Sequence, residues 1–391
     1  MSGVFDHLEW PFFDPEHRVM AQELDDWCQK EGLASVDDSD VFLACRELLR
    51  RMGEANWFRY AVPSGPNGEY GGQNPELDSR SLCLIRETLG RYNTLADFVF
   101  AMQGLGSGAI SLGGTDAQKR RYLPKVAQGK SIAAFALSEP EAGSDVAALS
   151  CSAHRDGNDF ILDGKKTWIS NGGLADFYCV FARTDPEAGS RGITAFIVEA
   201  ASPGLHIEEQ IDVMSPHPIA TLRFEACRVP AANMLGELNQ GFKLAMRTLD
   251  IFRASVAAAA LGFSRRALKE GLDYARSRKM FGQTLADFQL TQAALGDIVA
   301  EIDQSALLTY RAAWVRDVAR RVPTAETAMA KMISTESSQW VIDRVLQMFG
   351  GRGLVKNSPL ERLYRDIRAL RIYEGATEVQ KLIIARELMK R

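Results

Sequence analysis

The chain changes from helical to β-prone patterning and back again, and this order limits the folds that it can adopt. Between residues 129 and 236, short β-prone runs such as 132–137 and 193–199 follow one another, and turn pairs such as Asp156-Gly157 and Asp163-Gly164 separate several of them. The flanking segments carry apolar and charged residues at helical spacing over much longer stretches. Several short strands joined by turns predict a small β-sandwich or barrel between two helical regions.

We therefore predict a mostly α fold with a central β domain, organised as three domains. Residues 1–128 form an N-terminal helical domain, residues 129–236 the β domain, and residues 237–391 a C-terminal four-helix bundle. Thr115 is expected to cap a helix, and Pro323 separates the second and third bundle helices. The other predicted helical stretches are 21–31, 40–52, 77–92, 95–103, 241–279, 288–322, 324–349 and 378–389.

The charge and composition of the chain argue against nucleic-acid binding and membrane insertion. The 391 residues are 46% hydrophobic, and 46 basic against 50 acidic residues give a net charge of −4. This balance shows no basic excess that would favour nucleic acid or an anionic membrane. The longest apolar run, 256–263, is mostly alanine and too short to span a bilayer. Residues 1–10 resemble neither a secretory signal nor a transit peptide.

The spacing of the six cysteines indicates a reducing environment. They are scattered along the chain, and none of them forms a Cys-x-x-Cys motif. This spacing argues against a zinc site and against a disulfide framework, so we expect no bound metal and a cytoplasmic location. The positions are Cys28, Cys45, Cys83, Cys151, Cys179 and Cys227.

Residues 104–109 read Gly-Leu-Gly-Ser-Gly-Ala and match a relaxed dinucleotide-binding pattern. The segment before them is helical rather than a strand, and no acidic residue follows in a βαβ context. We therefore expect that these small residues allow close packing of a helix. The absence of a credible dinucleotide fingerprint also disfavours a nicotinamide-dependent reductase.

A stretch near the C-terminus, Arg-Ile-Tyr-Glu-Gly-Ala-Thr-Glu-Val-Gln, contains the candidate catalytic base, Glu374. Gly375 allows a sharp turn and close approach to a ligand, and Thr377 is expected to cap the following helix. Ile372 and Tyr373 are expected to exclude water from the carboxylate. Partial burial raises the pKa of a carboxylate and makes it a better base near neutral pH. The alternative is a solvated glutamate at the start of a helix.

Two loops of the predicted β domain offer groups that could bind a polar, planar ligand. The first follows a strand and carries the hydroxyls of Ser138 and Ser144 together with backbone N–H groups. The second places the aromatic ring of Trp168 beside the hydroxyl of Ser170 at the end of another strand. The alternatives are a plain turn with local hydrogen bonds for the first loop and core packing for Trp168.

Together with further stretches, these residues resemble the acyl-CoA dehydrogenase family over nearly the whole chain. The matching residues are Gly114-Thr115, Tyr122-Leu123-Pro124, 138–145 (Ser-Glu-Pro-Glu-Ala-Gly-Ser-Asp), 168–172 (Trp-Ile-Ser-Asn-Gly), 278–282 (Arg-Lys-Met-Phe-Gly), Gln289, 347–351 (Gln-Met-Phe-Gly-Gly), Tyr373-Glu374-Gly375 and Ala385-Arg386-Glu387. The fold of this family, a helical domain, a β domain and a four-helix domain, has the order predicted above.

The resemblance implies a tightly bound FAD. In the β domain, the residues that would contact the flavin or its phosphate are Phe135, Leu137, Ser138, Gly143, Ser144, Trp168, Ile169 and Ser170. In the helical bundle, the family uses residues of one subunit to bind the adenosine and pyrophosphate end of a neighbouring subunit's FAD. The residues assigned to cofactor binding there are Arg278, Phe281, Gln289, Gln347, Met348, Gly350, Gly351, Thr377 and Glu378.

The resemblance also implies the reaction. Glu374 would take the α-proton of an acyl thioester while a hydride leaves the β-carbon for the flavin. Some members carry the base on the first bundle helix, but that position is Phe252, which cannot act as a base. Arg253 would support Glu374 or bind CoA, or it would simply neutralise Asp250. The residues assigned to substrate binding are Ser144, Asp250, Arg253, Tyr373 and Gly375.

We therefore expect an FAD-dependent acyl-CoA dehydrogenase of lipid metabolism that forms a trans-2-enoyl-CoA. Its expected partners are an electron-transfer flavoprotein and further copies of itself in a tetramer, arranged as a dimer of dimers. The alternatives are an oxidase that uses oxygen and a dehydrogenase of acyl groups on a carrier protein. The chain departs from the family at Ala376, where many members have threonine, and in the loop 214–219, where we expect His217 to be exposed.

Overall fold

The computed structural model describes residues 6–390. Among these residues, the α-helices are α1 (Pro15–Lys30), α2 (Val41–Glu54), α3 (Ser79–Tyr92), α4 (Thr94–Gly113), α5 (Asp116–Ala127), α6 (Gly241–Ser277), α7 (Gln289–Asp317), α8 (Thr324–Phe349), α9 (Pro359–Leu370) and α10 (Thr377–Met389). The strands are β1 (Ala133–Ala136), β2 (Ser152–Asp156), β3 (Asp159–Ser170), β4 (Phe177–Arg183), β5 (Ile193–Glu199), β6 (Leu205–Gln210), β7 (Ile219–Pro230), β8 (Met234–Leu235), β9 (Lys279–Met280) and β10 (Gln283–Thr284). The predicted order of helices, strands and helices is confirmed.

Local sequence signals account for several helix boundaries. Thr115 caps α5 as predicted, because its side chain accepts a hydrogen bond from the backbone of Gln118, whose own side chain accepts from the backbone N–H of Thr115. Pro323 directly precedes α8. The helix α9 was not predicted, although Ser358 at its N-cap and Pro359 in its first turn are start signals.

The described residues form two compact units. The first contains the residues up to Val36, Ser79–Asp97 and the residues from Asp250 onward, and the second contains Asp37–Asp78 and Phe98–Leu249. The helices α4 and α6 contribute residues to both units.

The first unit is a packed group of helices. Helix α3 packs against α1 and α7, and α8 packs against α7, α9 and α10. The helical spacing predicts apolar stripes of Leu295, Ile298 and Ile302 on α7 and of Val341, Val345 and Met348 on α8. Four of these residues are buried, whereas Leu295 and Met348 are half-buried. Helix α6 approaches α3 closely at Gly262, where a β carbon would lie 2.2 Å from the carbonyl oxygen of Glu87. The unit therefore holds its helices at fixed positions through tight contacts.

The second unit contains an eight-stranded sheet with the order β6-β7-β3-β2-β4-β5-β8, in which β1 pairs with β4. The pairs β1–β4 and β2–β4 are parallel, and the others are antiparallel. The prediction that Asp163-Gly164 forms a turn is wrong, because these residues form a β-bulge inside β3. Gly164 has φ 139°, and a β carbon there would lie 2.7 Å from Cys151 Cα. Strand β6 was not predicted, because its edge position leaves it polar and exposed.

The glycine-rich segment 104–109 lies inside α4, in agreement with a packing role. At Gly106, a β carbon would lie 2.6 Å from the carbonyl carbon of Ala133, so at this position the helix packs closely against β1. Within residues 6–390, α4 is the one helix that is long and apolar enough to cross a membrane, but 89% of its most apolar window is buried. Such burial is typical of a core helix.

Candidate active site

Glu374 lies in the short connection between α9 and α10, in the first unit. Its backbone is left-handed, with φ 51°, and the next residue, Gly375, has φ 92°. The sharp turn predicted at Gly375 is therefore confirmed. A left-handed conformation is uncommon for a glutamate and persists only where neighbouring groups hold it.

Three side chains from different helices bind the backbone carbonyls of this turn. Lys331 Nζ on α8 donates to the carbonyl oxygen of Gly375 at 2.8 Å. Gln380 Nε2 on α10 donates to the same oxygen at 2.8 Å and to the carbonyl oxygen of Glu374 at 3.2 Å. Arg253 Nε on α6 lies 3.4 Å from the Glu374 carbonyl oxygen. We call Lys331, Gln380 and Arg253 the carbonyl clamp.

A second group of contacts fixes the two ends of the turn. Arg371 pairs with Glu336 on α8, with Nη2 and Oε2 at 2.7 Å, and the hydroxyl of Thr377 donates to Glu336 Oε1 at 2.5 Å. The backbone N–H of Thr377 donates to the carbonyl oxygen of Arg371. The prediction that Thr377 caps α10 is wrong, because Ala376 occupies the N-cap and the Thr377 hydroxyl binds Glu336 instead.

The carboxylate of Glu374 is poorly solvated. Its Oε2 atom is buried and has no hydrogen-bond partner among residues 6–390. Burial raises the pKa of Glu374 above its usual value of 4.5, while the positive charges of Arg86, Arg253 and Lys331 lower it and Asp97 raises it again. The net shift is upward, as the sequence predicted, so the carboxylate is a stronger base than an exposed glutamate.

The prediction of which residues bury the carboxylate is only partly correct. Ile372 is 58% exposed and does not exclude water from the carboxylate, so that prediction is wrong. Tyr373 is half-buried, and burial raises the pKa of its phenol. Tyr373 is therefore the apolar neighbour that the sequence identified correctly.

A buried ion pair near Glu374 was not predicted from the sequence. Arg86 on α3 forms a bidentate pair with Asp97 on α4, with distances of 2.7 and 2.9 Å, and its third donor binds Ser255 Oγ at 3.0 Å. Both charged residues are 2% exposed. The available signal is that each charge directly follows apolar residues, Leu84-Ile85 before Arg86 and Leu95-Ala96 before Asp97.

Arg253 combines two roles that the sequence left as alternatives. Its Nη1 atom donates to Asp250 Oδ1 at 2.9 Å, while its Nε atom faces the Glu374 carbonyl oxygen. Burial raises the pKa of Asp250. Phe252 lies between these two residues on α6 and is 1% exposed. The structure thus brings Asp250, Arg253, Tyr373, Glu374 and Gly375 into one cluster of the first unit.

In the second unit, the two predicted flavin-binding loops lie side by side. Ser138 Oγ donates to the carbonyl oxygen of Thr167 at 2.7 Å, and the backbone N–H of Thr167 donates to the carbonyl oxygen of Ser138 at 3.0 Å. Trp168 is 57% exposed and has φ 59°, so it is not a core residue. The side chains of Leu137 and Ile169 are buried, and only their backbone groups are available to a ligand.

A buried ion pair that was not predicted supports the first of these loops. Lys166 Nζ donates to the carbonyl oxygen of Leu137 at 3.0 Å and to Glu139 Oε1 at 2.7 Å. Glu139 also accepts hydrogen bonds from the backbone of Ser150 and Cys151. Lys166 is 0% exposed, so this pair fixes the loop from inside the unit.

The donor set of these loops fits a flavin ring. Trp168 presents an exposed aromatic ring, and Ser170, two residues further along the chain, is half-buried, as is Phe135 on β1. Ser138 donates its hydroxyl proton to the carbonyl oxygen of Thr167, so its oxygen can still accept a hydrogen bond. Ser144 and Gly143 are exposed, and a β carbon at Gly143 would meet no atom within 4 Å.

The remaining predicted cofactor residues lie in the first unit. Arg278 is exposed and precedes the hairpin β9–β10, and Phe281 at the tip of this hairpin is 88% exposed. The rings of Tyr274 and Phe349 stack at 4.1 Å and bring the end of α6 near the end of α8. There Gln347 is exposed and Met348 is half-buried, while Gly350 and Gly351 have open space at the β-carbon position. Gln289 and Glu378 are exposed, and Thr377 is buried.

His217 does not match its predicted exposure. Its ring lies 4.6 Å from that of Phe98, and burial lowers its pKa to about 4. Its Nδ1 atom lies 2.6 Å from the carbonyl oxygen of Ser215. The expectation of an exposed loop histidine is therefore wrong, because Phe98 covers the ring.

Comparisons with known proteins extend these observations to the whole chain. Family models of the acyl-CoA dehydrogenase N-terminal, middle and C-terminal domains match residues 14–130, 134–227 and 239–389. The chain is 34% identical to the caffeyl-CoA reductase–Etf complex subunit CarC of Acetobacterium woodii, over 97% of this chain and 100% of that protein. It is also 34% identical to the short-chain specific acyl-CoA dehydrogenase of Rattus norvegicus, over 100% of this chain and 93% of that protein.

A solved structure gives the same result. The acyl-CoA dehydrogenase of Bacillus anthracis, complexed with FAD, matches 97% of this chain and 67% of its own with a TM-score of 0.87 and 30% identity. The exposed Trp168 and the hydroxyls beside it agree with this cofactor. The chain therefore belongs to the acyl-CoA dehydrogenase family, whose members are FAD-dependent oxidoreductases that act on CH–CH bonds.

Proposed function

We propose that this protein converts an acyl-CoA thioester to a trans-2-enoyl-CoA, with Glu374 as the catalytic base. The observation that carries the proposal is the Glu374 carboxylate, which has a raised pKa and a buried, unpartnered Oε2 atom within residues 6–390. Bound FAD would accept the hydride that leaves the β-carbon. Carbonyl activation would come from the backbone N–H of Glu374, which can donate to the thioester oxygen.

Glu374 would take the α-proton onto its carboxylate. Burial disfavours the ionised form and so strengthens the base, while the positive charges of Arg86, Arg253 and Lys331 favour the ionised form. After the transfer, the neutral acid is the form that the buried site favours. Tyr373 and Gly375 would contact the substrate on either side, and Asp250, Arg253 and Ser144 would contribute to CoA binding.

The cofactor would be held mainly by the second unit. Trp168 and Phe135 would contact the flavin ring, and Ser138 and Ser170 would hydrogen-bond it. The backbone groups of Leu137, Ile169 and Gly143 would contribute further contacts, because the two apolar side chains are buried. Ser144 would lie near the phosphate.

The central experiment is anaerobic flavin reduction by a panel of acyl-CoAs, with Glu374→Gln as the test variant. Glutamine keeps the shape of the side chain and removes the proton acceptor, so flavin reduction should fall by several orders of magnitude while FAD and acyl-CoA binding persist. Glu270→Gln makes the same chemical change at a residue paired with Arg266 on α6 and should leave the rate unchanged. Near-wild-type reduction by Glu374→Gln would show that another residue is the base.

The reverse reaction is the second candidate, because one of the similar proteins is named a caffeyl-CoA reductase. In that direction, protonated Glu374 would deliver a proton to the α-carbon of an enoyl-CoA. The two directions differ in their electron partner and substrate, so turnover of saturated and unsaturated thioesters with oxidised and reduced acceptors separates them. The proposal favours dehydrogenation, and enoyl-CoA reduction without measurable dehydrogenation of any saturated thioester would overturn it.

The proposed electron partner is an electron-transfer flavoprotein, since the name of the same similar protein includes an Etf complex. Turnover with this acceptor and not with oxygen would exclude an oxidase, and equal turnover of acyl-CoA and acyl-carrier-protein thioesters would contradict the CoA preference. A cytoplasmic location is consistent with six buried cysteines that form no disulfides.

We also propose a homotetramer, built as a dimer of dimers, in which one subunit contacts its neighbour's FAD. The residues proposed for this contact are Arg278, Phe281, Gln289, Gln347, Met348, Gly350 and Gly351. Thr377 and Glu378 are proposed as further cofactor-binding residues of the bundle. The exposed Arg278 guanidinium suits a pyrophosphate, and a ligand across an interface stabilises the assembly.

Arg278→Ala should therefore weaken FAD retention and lower the thermal stability of the oligomer, and added FAD should restore part of it. Arg276→Ala, an exposed arginine on the last turn of α6, is the matched control. A monomer that keeps stoichiometric FAD on size-exclusion chromatography would contradict the shared site.

A further inference from the structure

Lys331 is a buried cation that the proposed reaction does not use directly. It lies on α8 with 0% exposure, and no carboxylate among residues 6–390 lies within 4.0 Å of its Nζ atom. Its hydrogen bond goes to the carbonyl oxygen of Gly375 instead, at 2.8 Å. An ammonium group that is buried without a direct counter-ion is destabilising, so the contact that Lys331 does make is the place to look for its role.

Through its hydrogen bond to Gly375, Lys331 can influence the position of Glu374. The carbonyl of Gly375 belongs to the turn in which Glu374 and Gly375 are both left-handed. Lys331 and Gln380 bind this carbonyl from two different helices, while Gln380 and Arg253 bind the carbonyl of Glu374. Because each of the two carbonyls is held by two donors, the direction of the Glu374 side chain is fixed by residues that do not touch its carboxylate.

Building on the proposed function, we propose that Lys331 is a positioning residue for Glu374. It fixes the left-handed turn through the Gly375 carbonyl, and its positive charge favours the ionised carboxylate.

The electrostatics agree with this geometry. Burial lowers the pKa of Lys331 to about 8, and the negative charge of Glu374 acts in the opposite direction. Reciprocally, Lys331 lowers the pKa of Glu374. The other charged groups that act on Lys331 are Arg253 on α6, Glu336 on α8 and Glu378 on α10, and those that act on Glu374 include Arg86 on α3, Arg253 on α6 and Asp97 on α4.

Removal of the lysine charge should therefore raise the pKa of Glu374. The base would then stay protonated up to a higher pH. The acidic limb of the rate profile, where the rate falls as the pH drops, should therefore shift to higher pH. A purely structural defect would instead lower the rate equally at every pH and leave the pH at which the rate falls unchanged.

Two variants separate the hydrogen bond from the charge. Lys331→Met removes both, whereas Lys331→Gln removes the charge and keeps an N–H donor. In the FAD-bound protein, Lys331→Met should lower the rate constant of anaerobic flavin reduction by about 100-fold, since small displacements of a reacting group have effects of this size. Lys331→Gln should lose less. Both variants should shift the acidic limb upward by roughly one pH unit, and acyl-CoA affinity should change little.

Amide hydrogen exchange tests the clamp without reference to activity. Residues 371–380 should exchange faster in Lys331→Met than in the wild type, and Lys331→Gln should restore part of the protection. Ser338→Ala is the matched control on the same helix, because it removes a buried hydrogen bond to the carbonyl oxygen of Ala260, at 2.9 Å, without touching the turn. Its rate, pH profile and exchange in residues 371–380 should match those of the wild type.

The inference is overturned if a folded, FAD-bound Lys331→Met protein keeps the wild-type rate, acidic limb and exchange. If Lys331→Met does not fold, the test rests on Lys331→Gln, because an unshifted acidic limb in that variant would also contradict the inference. Failure of the proposed function gives a different result, namely rapid flavin reduction by Glu374→Gln or no reduction by any acyl thioester. In that case the exchange experiment still confirms or refutes the clamp.

Discussion

Gly375→Ala is the most direct test of the turn that carries Glu374, the proposed base. Gly375 has φ 92°, and a β carbon at this position would lie 2.4 Å from Gln380 Nε2. This distance is too short for any stable contact, so the Gln380 amide would have to move. Its movement would break its hydrogen bonds to the carbonyls of both Glu374 and Gly375.

The size of the effect follows from two contributions. An alanine in the left-handed region costs about 1–2 kcal/mol, and the loss of two hydrogen bonds costs about 0.5–1.5 kcal/mol each. The free energy of unfolding should therefore fall by about 2–5 kcal/mol. For a unit of this size, such a change lowers the thermal midpoint by roughly 4–20 °C.

The activity should fall further than the stability suggests. Without the Gln380 contacts, the Glu374 carboxylate is held less firmly, and in the proposed reaction a displacement of about 1 Å can slow proton transfer by about 100-fold. Thermal unfolding and anaerobic flavin reduction should be measured on the same FAD-bound preparation. The thermal midpoint and the rate constant of flavin reduction should both be lower than in the wild type.

Gly296→Ala is the matched control. Gly296 lies inside α7, and a β carbon there would meet nothing within 4 Å. Alanine is favoured over glycine in a helix by about 1 kcal/mol, so this variant should be slightly more stable and fully active. If Gly375→Ala behaved like Gly296→Ala, the left-handed turn and its clamp would not be what positions Glu374.

Three further predictions follow from buried charges and from α6. Because burial raises the pKa of Glu374 above 4.5, the rate of flavin reduction should fall as the pH drops through a value higher than 4.5, and Glu374→Gln should lack this limb. Lys166→Met leaves Glu139 buried without its cation and should lower the thermal midpoint and the FAD content, while the double variant with Glu139→Gln should recover part of both. A glutamate introduced by Phe252→Glu should restore measurable flavin reduction to a folded, flavin-bound Glu374→Gly protein, and no recovery would count against convergence of the two positions.

The elements predicted correctly from the sequence are those specified by local signals. The cap at Thr115 involves residues three positions apart, and the apolar stripes of α7 and α8 repeat within one helix. By contrast, strand β6 owes its structure to pairing with β7, and its own residues are mostly polar and exposed. The bulge at Gly164 depends on the close approach of Cys151, which no local turn pattern reveals.

The candidate site shows the same division. Glu374 and Gly375 are recognisable in one short stretch, but the groups that set the behaviour of Glu374 come from distant helices. Arg86 finds its partner Asp97 on the next helix and Ser255 on α6, and Lys331 reaches Gly375 from α8. The misassigned cap at Thr377 has the same origin, because a hydroxyl that could bind its own backbone binds Glu336 instead.

These distant groups also satisfy two opposing requirements of a buried base, which must be able to ionise and must remain accessible to a proton. A carboxylate buried alone would be protonated at neutral pH, whereas one bound directly by a cation would be ionised but a weak and blocked base. Here Arg253 and Lys331 donate to the carbonyl oxygens of Glu374 and Gly375, and Arg86 donates to Asp97 and Ser255. Their charges therefore lower the pKa of Glu374 from a distance, and Oε2 has no hydrogen-bond partner within residues 6–390. Because Arg253 and Lys331 bind backbone carbonyls and Arg86 binds other side chains, the carboxylate of Glu374 stays both ionisable and available to a proton.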